Sequence, residues 1–124
     1  MPKEGDCYIV EIKEAHIDWG RHRNTDTRDR IPGEAYVQIP KAAARAFGIE
    51  TGKCYTAVFA DGFESFMARA SGTSHSGDVY AKQFQGAGDL KAFGRWYNSV
   101  GAKVGDKVAV VFLSENKVMF TLIP

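Results

Sequence analysis

Between Trp19 and Arg30 the chain carries Arg21, His22, Arg23, Arg28 and Arg30, opposed only by Asp26 and Asp29, with Asn24 among them. Guanidinium groups pair bidentately with phosphate and with O6 and N7 of guanine, and an asparagine amide matches N6 and N7 of adenine. A second polar stretch runs Ser71-Gly-Thr-Ser-His-Ser-Gly-Asp. Its hydroxyls and its imidazole suit phosphate contacts and a short reach to bases. Two such loops projecting from one side of a domain would fit a duplex groove, so the chemistry in view is recognition of nucleic acid. Patterns for catalysis are weaker. There is no Gly-x-Ser-x-Gly elbow and no phosphate-cradling glycine loop. His16 and His22, with Asp18 near them, are spread along an irregular strand and loop and do not match the spacing of a metal site. Glu11-Ile12-Lys13 has the acidic-x-Lys form of metal-dependent nucleases, a short pattern that supplies one alternative, a small magnesium-dependent nuclease. No cofactor is expected.

The composition sets the frame for these groups. At 124 residues, with 44% hydrophobic and 25% charged residues, the chain reads as one globular domain spanning residues 1–124. The formal net charge is +1, so a basic face has to come from the distribution of charge and not from its sum. Acidic residues gather elsewhere, at Glu4, Asp6, Glu11 and Glu14 and again at Glu50, Asp61 and Glu64. No apolar run is long enough to cross a bilayer, and Met-Pro-Lys-Glu-Gly-Asp lacks a signal-peptide pattern. A cytoplasmic protein with no membrane partner is therefore expected. Cys7 and Cys54 read as reduced cysteines used as small apolar side chains.

The elements that must position the loops are mostly strands. The organising stretch runs from Arg30 to Gly52. Tyr36 to Ile39 suit a strand, Pro40 suits the first helical position, and Lys41 to Phe47 favour a short helix stopped by Gly48. A turn through Gly52 leads to a strand at Tyr55–Phe59. A shift of 53 residues lays Gly48 on Gly101, Gly52 on Gly105, Val58 on Val111 and Phe59 on Phe112. Two such copies predict a barrel of two related halves rather than a solenoid. Cys7 to Lys13 reads as a first strand with Tyr8, Val10 and Ile12 on one side. Asp61-Gly62 reads as a hairpin turn into a strand from Phe63, and Val79 to Phe84 as a short strand followed by a linker, Gln85-Gly-Ala-Gly. Asp89 is placed as the N-cap of a longer helix with Leu90, Phe93, Tyr97 and Val100 as its apolar stripe. Val108 to Leu113 is apolar without alternation and reads as a strand covered on both faces, with Val118 to Ile123 as its hairpin partner.

Two segments carry a family resemblance. Arg30-Ile-Pro-Gly-Glu-Ala-Tyr-Val-Gln-Ile-Pro is similar to the entry strand of the DNA-binding pseudobarrels in the recognition domains of some bacterial restriction endonucleases. Val104-Gly-Asp-Lys-Val resembles the turn before that family's penultimate strand. The order of elements from Cys7 to Ile123 also resembles this family, which includes plant auxin-response-type transcription factors. The resemblance implies a mostly β (α+β) fold: a seven-stranded open pseudobarrel with two short helices and internal pseudo-twofold halves. It also implies a sequence-specific reader of double-stranded DNA that grips the major groove between two arms, without catalysis of its own. Carried onto this chain, the first arm is His16 to Arg30, with Arg21, His22, Arg23, Asn24, Arg28 and Arg30 as DNA-binding residues. The second is Arg69 to Gln83, with Arg69, Ser74, His75, Lys82 and Gln83. A monomer in a bacterial restriction–modification setting is expected, with any nuclease domain or subunit supplied in trans. Val37 to Lys53 also resembles the swapped-hairpin transcriptional regulators and antitoxins, which dimerise. The remaining alternative is a barrel that binds another protein.

Overall fold

The computed structural model of the chain describes residues 2–13, 35–72 and 78–124. Within them lie strands β1 (Cys7–Glu11), β2 (Val37–Gln38), β3 (Cys54–Phe59), β4 (Phe66–Ser71), β5 (Gln83–Gly86), β6 (Lys107–Ser114) and β7 (Lys117–Ile123). Helix α1 (Lys41–Phe47) follows β2, and α2 (Ala92–Ser99) follows β5. All seven strands form one sheet in the order β1-β6-β7-β3-β4-β5-β2. Neighbours are antiparallel except β3 and β7, which run parallel. No helix among the described residues is long and apolar enough to cross a membrane.

The inward face is set by simple alternation. Val10, Ile12, Tyr55, Ala57, Phe59, Ala68, Ala70, Phe84, Val108, Val110, Phe112, Val118 and Phe120 are buried together. The sheet curls around this core, and its two edge strands meet across a hydrogen bond. The Tyr8 hydroxyl on β1 donates to the backbone carbonyl of Gln38 on β2 at 2.9 Å. The Tyr97 hydroxyl on α2 donates to the carbonyl of Tyr36 at 2.9 Å. Two phenols thus satisfy carbonyls on the edge of β2 that does not face β5, and the barrel stays open without leaving those acceptors orphaned.

Both phenols need their protons to make these bonds. Burial pushes the Tyr8 and Tyr97 hydroxyls far above the ordinary tyrosine range, with lesser contributions from Tyr97 and Tyr36 respectively. Burial, helped by Glu50 and Cys54, pushes Tyr55 up to about 12. The unfolded chain releases these protons near pH 10 while the folded chain retains them. Their contribution is therefore intact below pH 10 and is lost as pH rises through the folded-state values. Urea titrations between about pH 9 and pH 11.5 are expected to show stability falling by up to about 1.4 kcal/mol per pH unit for each such group. The slope should be shallower in Tyr8→Phe and Tyr97→Phe. An unchanged slope in both variants would place these hydroxyls outside the core.

The glycine spacing of the two halves reappears in the backbone. Gly48 and Gly101 have φ of 71° and 65°, and Gly52 and Gly105 have φ of 91° and 98°. A closer internal match joins β1 to β6. Lys3-Glu-Gly-Asp and Lys103-Val-Gly-Asp fold into the same turn. In each, the lysine N–H donates to the aspartate Oδ2 (3.0 and 3.1 Å) and the ammonium to Oδ1 (3.2 Å in both). Each turn also holds the end of the other strand. Gly5 N–H donates to the Phe112 carbonyl at 2.9 Å, and Gly105 N–H to the Ile12 carbonyl at 3.0 Å.

Several local expectations are corrected. Pro40 is the N-cap, with ψ 142°, rather than the first helical residue. β4 starts at Phe66, not Phe63, because residues 60–65 are needed to turn the corner. Of the strand placed at Val79–Phe84, the first part makes only a single bridge, Tyr80 to Glu50. The regular ladder begins at Gln83 and takes in Gln85 and Gly86, the supposed linker. Helix α2 begins at Ala92, after Lys91. Asp89 heads the preceding turn, its Oδ1 accepting from Lys91 N–H at 3.1 Å and its Oδ2 meeting Arg95. That bond to Arg95 holds the Asp89 carboxyl below the usual carboxylate range. β6 is covered on one face only: Val108, Val110 and Phe112 are buried, whereas Leu113 is 38% exposed. Cys7 and Cys54 are free thiols but exposed, so they are not core residues.

Candidate nucleic-acid interface

Strands β4 and β5 precede and follow residues 73–77, and β1 and β2 precede and follow residues 14–34. Arg21, His22, Arg23, Asn24, Arg28, Arg30, Ser74 and His75 lie outside the described residues. Arg69, Lys82 and Gln83 lie within them: Arg69 on β4, Gln83 at the start of β5 and Lys82 just before it. Ser71 pairs with Gln83 and Arg69 with Gln85 across β4 and β5, while Gln83 pairs with Gln38 across β5 and β2.

Residues directly opposite in an antiparallel pair share a face. Ala68, Ala70, Phe84 and Val37 point into the core. Arg69, Ser71, Gln83, Gln85 and Gln38 therefore point outward, as one polar patch. Gln83 Nε2 donates to Gln85 Oε1 at 3.2 Å. Arg69 is exposed and enters no ion pair among the described residues. Lys82 extends the ladder on both sides. Its N–H donates to the Ser71 carbonyl at 3.0 Å, and its own carbonyl accepts from Ile39 N–H at 2.9 Å. Its stem lies over Gly72, where an added Cβ would come within 2.9 Å of both Cγ and Cε.

The returning side of the second arm is anchored to the α1–β3 connection. Thr51 N–H donates to the Val79 carbonyl at 2.8 Å and Ala81 N–H to the Ile49 carbonyl at 2.9 Å. Asp78 Oδ1 accepts from Tyr80 N–H at 3.1 Å, and its Oδ2 lies 4.0 Å from Arg45 on α1. The root of the arm is thus fixed by backbone bonds, which suits groups that must present a defined geometry.

Gln38 and Gln85 were not singled out from the sequence. Gln85 fell in a presumed linker, and Gln38 in a strand valued for its apolar neighbours. The signal was their register with Gln83, which becomes visible only once the strands are paired. The acidic-x-Lys pair behaves differently. Glu11 is exposed at the end of β1, opposite Lys107. No group of three or more His, Cys, Asp or Glu residues gathers as for a metal ion among the described residues.

A patch of amides and cations on the outward face of a curled sheet is equipped to meet phosphates and base edges. Comparison with known proteins agrees with that chemistry. The solved complex of Arabidopsis FUS3 with DNA matches with a TM-score of 0.59 and 17% identity, over 94% of this chain and 95% of that one. At that identity the likeness is one of fold: the mostly β pseudobarrel. No curated protein sequence matches the chain. The model of the NgoFVII C-terminal B3-like DNA-binding domain matches residues 9–116, and the chain belongs to that family of DNA-binding domains.

Proposed function

We propose that this chain binds double-stranded DNA sequence-specifically, gripping the major groove with the arms formed around residues 16–30 and 69–83, and has no catalysis of its own. The observation that carries the reading is the outward patch of Arg69, Gln83 and Gln85 on β4 and β5, the strands on either side of residues 73–77, in a member of a DNA-binding family. Arg69 and Lys82 supply charge that draws in the phosphate backbone. Arg21, His22, Arg23, Asn24, Arg28, Arg30, Ser74 and His75 complete the arms. The family description names the C-terminal domain of NgoFVII, which supports a place in a restriction–modification system, and the setting of the proposal is the bacterial cytoplasm. The whole of residues 1–124 acts as one monomeric domain, and cleavage is supplied by a nuclease domain or subunit in trans.

The test is fluorescence anisotropy with a randomised duplex pool across a salt series, followed by selection. Each phosphate contact contributes roughly −0.9 to the log–log slope of affinity against salt. Replacing both Arg69 and Lys82 with alanine is expected to flatten that slope by about one to two units. The midpoint of thermal unfolding should hardly move, since both side chains are exposed. Absence of binding at low salt would overturn the proposal.

A further inference from the structure

We infer that Gln38, Gln83 and Gln85 form a base-reading patch on the outward face of β2 and β5, distinct in its chemistry from the cationic Arg69 on β4. The inference rests on the DNA-binding reading above and assigns a specificity role to that site.

The argument begins with the hydrogen-bond inventory of two amides. Each glutamine offers one oxygen with two lone pairs and one NH2 with two hydrogens. The contact between Gln83 Nε2 and Gln85 Oε1 at 3.2 Å consumes one donor and part of one acceptor. What remains is the oxygen and one N–H of Gln83 and both N–H groups of Gln85. If both amides were rotated the roles would exchange, and the pair would still present donors beside an acceptor. Gln38 stands in register beside Gln83 and adds a third amide to the row.

All three residues are only half-buried, so their remaining capacity is open to a ligand while the strands hold their backbones. None carries charge, and so none adds to the electrostatic attraction that binds every sequence alike. An adjacent donor and acceptor occur in the major groove at adenine, with N6 beside N7, across an A·T pair, with N6 beside thymine O4, and across a C·G pair, with the cytosine N4 amino group beside guanine O6. Arg69 and Lys82 next to the patch hold the backbone, and the amides then select the step.

The test compares the wild-type chain with Gln83→Ala and Gln85→Ala by selection from the randomised pool, with salt slopes measured on the selected duplex. The wild-type motif is expected to contain a position where preference falls by about tenfold or more in each variant. The salt slope and the unfolding midpoint should stay unchanged. Loss of preference at an A·T position assigns the patch to an A·T edge, and loss at a C·G position assigns it to a C·G edge. An unaltered motif in both variants overturns the inference while leaving DNA binding intact. A uniform loss across all sequences with a flatter slope also overturns it, because the glutamines would then be backbone contacts. Failure of the wild-type chain to bind any duplex would instead overturn the DNA-binding reading itself.

Discussion

Phe120→Ala is expected to lower the unfolding free energy by about 3–5 kcal/mol, the range for removing a fully buried phenylalanine. Phe120 has 0% exposure and sits where four elements meet. Its ring stacks on Phe59 of β3 at 5.6 Å. It meets Phe84 of β5 edge-on at 5.7 Å and Phe93 of α2 at 5.1 Å, and lies 6.2 Å from Trp96. Its neighbours cannot collapse into the space without moving α2, whose Tyr97 also holds the edge of β2. A domain of this size has about 5–15 kcal/mol in all, so the variant should stand near the threshold of folding. Urea unfolding at pH 7 measures the loss. Met119→Ala, one residue away and on the outward face, is the control and should cost under about 1 kcal/mol. A Phe120→Ala loss no larger than that of the control would mean that the aromatic cluster is not the core.

The architecture was legible where glycine and alternation carry it. Gly48 and Gly52 recur as Gly101 and Gly105 because a helix that must hand the chain to a strand twice needs the same left-handed stops twice. The alternation of Tyr8, Val10 and Ile12 likewise predicted the inward side of β1. Misreadings arose where one residue type serves two purposes. Val108 to Leu113 looked covered on both faces because β-branched residues favour strands whether or not they are buried. Gln85-Gly-Ala-Gly looked like a linker because glycine marks turns as well as close approach of two backbones. The floor of the site was hidden for a different reason. Gln38, Gln83 and Gln85 are unremarkable along the chain and gather only through the antiparallel registers of β2, β4 and β5. Basic and polar loops announce themselves in composition, whereas a patch built across strands requires the pairing.

Gly86→Ala is expected to be the most damaging single-methyl substitution on the functional side of the molecule. A Cβ at Gly86 would lie 1.9 Å from the Asp89 carbonyl oxygen and 2.8 Å from Ala92 Cβ. The first is backbone and the second is the start of α2, so no flexible side chain can step aside. Either β5 leaves its ladder with β4 or the turn that launches α2 is displaced. Overpacking usually costs about 1–3 kcal/mol, and this contact places the variant at or beyond the upper end. A fall in Tm of roughly 10 °C follows for a domain of this size. Gly88→Ala in the same turn separates the causes. Gly88 has φ 73° with nothing within 4 Å of its Cβ position, so only left-handed strain of about 1–2 kcal/mol opposes alanine there. If Gly86→Ala unfolds no earlier than Gly88→Ala, the close approach of β5 to the turn is not present in solution. The site should register the same displacement. Gln85 immediately precedes Gly86 on β5 and depends on that ladder for its direction, whereas Arg69 sits on β4 and reaches phosphate through a long flexible stem. Folded Gly86→Ala protein, measured well below its Tm, should therefore lose base preference while keeping most of its salt-dependent affinity.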